Sequence, residues 1–208
     1  VHIVNSTIAG NSAFSGGGIA NNQFGTIDLR NVTIANNTGE RTAGVTNGGI
    51  VNVANSVIGA NTEVNGDGNV DCSGLLNSLD YNSIQITTGC AIGGDTAHNI
   101  LGQDPALGDL ALNGGATATL APLDGSPLVD QANPATPGSG LGACAATDQR
   151  GVVRPDGDGC DIGAFERSSA FEVTAVTPSH GGRGGVVTVT VSGGGFAPDA
   201  DVALQRTG

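Results

Sequence analysis

The chain has 208 residues, among them 36 Gly and four Cys, with aromatics at 3% and neither Trp nor Met. Nineteen acids against seven basic residues, all Arg, leave a net charge of −12, and without clustered cations the composition excludes nucleic-acid binding and docking on anionic lipid. No segment approaches the ~18 consecutive apolar residues of a membrane span, and a core of Ile, Val, Leu and Ala between Gly and Asn corners suits a narrow solenoid.

In chain order, the first signal is a phrase said three times: NSTIAGN at 5–11, NVTIANN at 31–37 and NSVIGAN at 55–61, in steps of 26 and 24. A second phrase recurs between them, GGGIAN at 16–21 and NGGIVN at 47–52. A period in the twenties with β-branched residues and no helical spacing marks a β-solenoid coil. Ile8, Ile34 and Ile58 then form one inward column, with Thr7, Thr33 and Val57 between residues of opposite facing. Asn5, Asn31 and Asn55 are expected to form an amide ladder at a corner. The chain opens at Val1, without Met and in mid-coil, so it is expected to be the C-terminal piece of a longer solenoid; no signal-peptide pattern is visible in it.

From residue 62 the period breaks, and decorated coils are expected to continue the solenoid. Cys72 and Cys90 lie 18 apart and Cys144 and Cys160 lie 16 apart, spacings that fit neither metal knuckles nor a redox pair. Two local disulfides are expected, although four Cys allow three connectivities, and disulfides imply an oxidising, extracytoplasmic setting. The sharpest metal candidate is EVNGDGNVD, where Glu63, Asn65, Asp67, Asn69 and Asp71 alternate around Gly68 as in a calcium loop. The first position is Glu, the terminal acid is replaced by Gly74 and no helices flank it, so the competing reading is a polar turn leading to the disulfide. Calcium is the one cofactor suggested. In RPDGDGCD, Asp156, Asp158 and Asp161 either hold calcium or pair with Arg150 and Arg154. No Ser lies in a G-x-S-x-G elbow, and His2, His98 and His180 fall in unrelated segments, so no catalytic residues are named.

The repeats with GGGI turns, the Cys-Ser-Gly loop, LGDLALNGGAT…LAPLDGSPLVD and the closing TDQRGVVRP…CDIGAFE together resemble a bacterial family. These are the right-handed parallel β-helix surface proteins of the polymorphic-outer-membrane-protein-like and choice-of-anchor type. The resemblance covers residues 1–166 and implies a fold and an exported, cell-surface location, but no shared reaction. Residues 171–208 are similar to the start of an IPT/TIG immunoglobulin-like module, with 167–170 (RSSA) as linker. Strands are expected at Val173–Thr177, Val186–Ser192 and Val202–Gln205, too few for a complete sandwich. The expected class is therefore all-β: a right-handed parallel β-helix, an irregular disulfide-stapled part, then a partial Ig-like sandwich. The expected function is a non-catalytic stalk or display rod. Alternatives are an adhesin binding surface glycan or protein, and a polysaccharide lyase or glycoside hydrolase of the pectate-lyase-like type.

Overall fold

The computed structural model describes residues 1–66, 68, 70–168, 172–177 and 190–194. The chain divides into two units, Val1–Arg167 and Ser168–Gly208.

The first unit begins as stacked coils. The first coil carries β1 (His2–Ala9), β2 (Ser12–Ala13) and β3 (Ile19–Asn21), and the second β4 (Thr26–Ala35), β5 (Thr38–Gly39) and β6 (Val45–Asn47). The third carries β7 (Ile50–Ala54), β8 (Val57–Ile58) and β9 (Thr62–Glu63). Beyond residue 62 the solenoid continues through β10 (Cys72–Leu79), β11 (Ser83–Ile84), β12 (Cys90–Asp95) and β13 (Ile100–Leu101). Every pairing among these strands is parallel, and the register places Ile8 on Ile34, Ile34 on Ile58, Ile58 on Ile84 and Ile84 on Leu101. The expected isoleucine column is thus present and extends into the irregular coils. Ile34 and Ile58 are fully buried.

Each coil turns where one residue takes a left-handed backbone. Asn31, at φ 50°, sits inside β4. Before it Ile27 and Leu29 point inward; after it Val32 and Ile34 do, so one left-handed residue shifts the alternation and bends the strand while the wall stays continuous. Asn tolerates that conformation better than other non-Gly residues, and Asn5 and Asn55 repeat it at φ 46° and 49°.

The amide ladder forms at the other end of the phrase from the expected one. Asn11 donates backbone and side-chain N–H to Asn37 Oδ1 at 3.1 and 3.0 Å, and Asn37 does the same to Asn61 Oδ1, both at 3.0 Å. Asn61 closes the series by donating its side chain to Asp71 Oδ1 at 2.8 Å. Asn37 Nδ2 also reaches Ile8 O, and Asn61 Nδ2 reaches Ile34 O, so each amide ties its coil to the one before. Asn5, Asn31 and Asn55 make no ladder with one another. Their left-handed backbone turns the side chains outward, where they bind the C-terminal part of the unit.

That part starts with an antiparallel hairpin, β14 (Leu107–Ala111) on β15 (Thr119–Pro122), after which residues 126–166 lie along the solenoid flank. Asn5 Nδ2 donates to Thr147 O, Asn31 Oδ1 accepts from Ala145 N, and Asn55 joins both Gly142 O and Asn133 N. The column Thr7, Thr33, Val57 is covered as well: Thr7 donates to Gln149 Oε1, and Ala164 N donates to Thr33 Oγ1. Val57 joins Leu128, Ala132, Cys144, Cys160 and Ile162 in a second core. Gly163 makes the closest approach. At φ 105°, an added Cβ would come within 2.7 Å of Thr33 Oγ1 and 3.0 Å of Val57 Cγ2.

In the second unit, β16 (Glu172–Thr177) pairs antiparallel with β17 (Thr190–Gly194). The strand expected at Val173–Thr177 is there; residues 186–189 and the strand expected at Val202–Gln205 lie outside the described residues.

Two substitutions test these layers by chemical denaturation. Ile58→Ala should cost about 2–5 kcal/mol as a buried large-to-small change, and more than Ile8→Ala on the partly exposed first coil. Asn37→Ala should cost about 1–3 kcal/mol, because it removes the acceptor of the Asn11 N–H groups and the side-chain donor to the carbonyls of Ile8 and Ala35.

Candidate functional site

The candidate calcium loop leaves β9 and enters β10. Glu63 turns back on its own loop: Oε1 accepts the backbone N–H groups of Asn65 and Gly66, and Oε2 accepts that of Gly68. Asp71 points the other way, into the wall. It is fully buried, with Oδ1 on Asn61 Nδ2 and Oδ2 on Ile86 N at 2.8 Å. Burial pushes its carboxyl up from the ordinary range, against these bonds. Asn65 is exposed, and Asp67 and Asn69 lie outside the described residues. A calcium ion takes six to eight oxygens at roughly 2.3–2.6 Å, and among the described residues no group of three or more His, Cys, Asp or Glu is placed to hold a metal.

Both local disulfides are formed, Cys72–Cys90 with Cα atoms 5.3 Å apart and Cys144–Cys160 with 6.7 Å. The first staples β10 to β12 beside the loop, and the second ties the covering segment to itself within the second core.

The closing motif is held by two arginines, with partners other than those expected. Arg154, whose side chain is fully buried, pairs with Glu166 Oε2 at 2.5 Å and donates to the carbonyls of Asp161 and Gly163. Arg150 pairs with Asp148 at 2.7 Å, stacks 3.5 Å over the Phe165 ring and reaches Asn113 O. The Asp161 carboxylate pairs with neither arginine; its oxygens accept the N–H groups of Asp130 and Arg167. Asp156 contributes its N–H to Glu166 Oε1. The sequence reading missed Asp148 and Glu166, although they bracket the motif as the acids of TDQR and AFE. With no repeat to align them, nothing marked them as a pair of arginine anchors.

Burial dominates the protonation equilibria here. It pushes Glu166 up and holds Arg154 below the usual guanidinium range, each effect offset by the other's charge. Asp161 is pushed up to about 6 by burial, despite its two backbone donors. Asp148 is also raised by burial, but the Glu166 N–H, the Arg150 side chain and further N–H donors outweigh it and bring the carboxyl below its ordinary value.

Two other places bring polar groups together. At one coil corner, Asp80 Oδ2 binds His98 Nδ1 at 2.6 Å, and Tyr81 stacks on the His98 ring with centroids 4.6 Å apart. Burial raises Asp80, but the bonds from the His98 ring and from backbone N–H groups outweigh it and lower its pKa. The group fixes the corner, since Asp80 and Tyr81 both have positive φ. A pocket of about 180 Å³ lies among Asp130, Pro134, Pro137, Pro155, Asp158 and Cys160. It is smaller than the ~300–1,000 Å³ of ordinary ligand sites, and Asp130 Oδ1 is already bound to Gly159 N.

The open face of the sheet of β1, β4, β7, β10 and β12 carries a polar ladder. Asn77 donates to Asn52 Oδ1 at 2.7 Å, Asn52 to Asp28 Oδ1 at 2.6 Å, and His2 sits 2.8 Å from Asp28. Beside it Ile50 and Leu75 are each 55% exposed.

Comparison of the chain with protein-family models, curated proteins and solved structures finds no match. The class defined by fold and geometry is a parallel β-solenoid whose flank is sealed by its own disulfide-stapled C-terminal segment.

The buried charges generate two predictions. Glu166→Gln leaves Arg154 buried without its counter-charge and should destabilise the first unit by about 3–5 kcal/mol. Asp161, raised from 3.8 to about 6, withdraws stability as pH climbs through that window, because the unfolded chain ionises first. The loss is roughly 3 kcal/mol at 1.36 kcal/mol per unit. Asp80 and Asp148, both lowered, act oppositely: their stabilisation is present above the ordinary carboxylate pKa and is lost as pH falls through the folded values. Denaturation midpoints across pH 4–6.5 should therefore decline less steeply in Asp161→Asn than in the parent.

Proposed function

We propose that the chain is an extracytoplasmic, non-catalytic structural element, a rod that extends or displays other parts of a cell-surface protein. The observation that carries this reading is the sealed flank. Coils tied rung to rung by buried amides are overlaid by a segment that is itself closed by a disulfide and two arginine-centred clusters. Such construction suits resistance to proteolysis and extension outside the reducing cytoplasm. The sequence resemblance to right-handed β-helix surface proteins, with an appended immunoglobulin-like module, supports the same reading.

A second reading, an adhesin flank for glycan or protein, is favoured by the Asp28–Asn52–Asn77 ladder beside exposed Ile50 and Leu75. The ladder offers polar groups about 4.8 Å apart next to an aliphatic strip.

Limited trypsin digestion tests the rod. Arg150, nearly enclosed in the closing segment, should resist cleavage in the oxidised protein while exposed Arg41 is cut; reduction of both disulfides should open Arg150. Cleavage at Arg150 as fast as at Arg41 under oxidising conditions would count against a sealed rod. Glycan-array binding lost in Asn52→Ala would favour the adhesin, and release of unsaturated oligosaccharides from polyuronate would establish a lyase instead.

A further inference from the structure

We propose that Asn65–Gly66 is a self-modifying site, at which the Glu63 carboxylate promotes conversion of the Asn65 amide to an aspartyl or isoaspartyl residue. The chain has three Asn–Gly dipeptides, at 47–48, 65–66 and 113–114. Sequence treats them alike, because Gly leaves the following amide nitrogen unhindered in each. The structure separates them.

Asn47 is buried within the wall. Its Oδ1 accepts from Gly49 N and Asn21 Nδ2, both at 2.9 Å, and its Nδ2 donates to Leu75 O. Gly48 N is itself bound to Asn21 O at 2.8 Å in the rung. Asn113 is tethered by Nδ2 to Thr119 O and Oγ1 at 2.9 and 3.1 Å. Ring closure would break these bonds. Asn65 is exposed, and no hydrogen bond to its side chain is found among the described residues, so its Cγ is free to swing onto the next backbone nitrogen.

That nitrogen already faces a proton acceptor. Gly66 N–H donates to Glu63 Oε1 at 2.9 Å, and Gly66 holds φ 80°, a conformation that Gly adopts without strain. In the reaction Gly66 N bonds to Asn65 Cγ as its proton passes to Glu63. Glu63 then returns the proton to Nδ2, the Cγ–Nδ2 bond breaks and ammonia leaves. Water opens the resulting succinimide at either carbonyl, giving aspartyl or isoaspartyl at position 65. No other reactant is required. The product adds a carboxylate to a loop already containing Glu63 and Asp67, and the isoaspartyl form adds an atom to the backbone between β9 and Cys72.

The test is to incubate the intact oxidised protein at neutral pH and follow each Asn–Gly peptide by mass spectrometry, with enzymatic methyl labelling of isoaspartate. Position 65 should convert to both products while Asn47 and Asn113 stay amides. Glu63→Gln should slow conversion by about tenfold, below the ~100- to 10,000-fold range of a fully built general base. It should also steepen the pH profile to simple proportionality with hydroxide, whereas the parent profile is shallower. Conversion at 65 no faster than at 113, an exclusively aspartyl product, or unchanged rate and pH profile in Glu63→Gln would each overturn the assignment.

Discussion

The first unit depends on one requirement: every polar backbone group at a coil corner must find a partner in the next coil, at about the 4.8 Å separation of paired strands. Asn meets it in two ways. At Asn5, Asn31 and Asn55 it accepts a left-handed backbone and so bends the strand; at Asn11, Asn37 and Asn61 it presents one acceptor and two donors across the stack. Asp71 ends the second series because a carboxylate accepts from the last amide without needing a coil beyond it to donate.

The flank overlay follows from the first of these roles. Bending outward exposes the amides of Asn5, Asn31 and Asn55, and the covering segment supplies the carbonyl and N–H groups they need. The close fit at Gly163 then brings the closing motif onto Thr33 and Val57. Burying Arg154 with Glu166 is an expensive way to hold that motif, since taking both charges out of water can exceed their mutual attraction. What the pair provides is direction. Its planar guanidinium joins Glu166 to the carbonyls of Asp161 and Gly163, bonds that an aliphatic pair could not make.

Covering one flank leaves another open. The Asp28–Asn52–Asn77 ladder also joins successive coils but runs in the opposite direction, through side-chain donors alone, and faces outward, bordered by Ile50 and Leu75. A solenoid thereby offers a repeating surface whose spacing is set by its own backbone, and this links the rod and adhesin readings physically. The loop at 63–71 obeys a different rule. It lies outside the ladder, so its Glu63 satisfies itself on the N–H groups of its own turn.

The sequence by itself determined the parallel stack, its period and the isoleucine column, because identical residues recur at equal intervals and stacking places them in line. Local spacing of Cys72 with Cys90 and of Cys144 with Cys160 pointed to the two disulfides that form, while the structure selected them from three possible connectivities. Which Asn of each phrase forms the ladder was not legible, since both occupy equivalent places in the repeat and differ only in the backbone angle that folding imposes. Nor was the covering of Thr7, Thr33 and Val57, because the residues that cover them come from more than 70 positions away and carry no repeat. The tertiary structure alone decided that Arg154 meets Glu166 instead of the nearby aspartates: a buried guanidinium pairs with the carboxylate that the chain's path brings to it, and sequence distance does not encode that path.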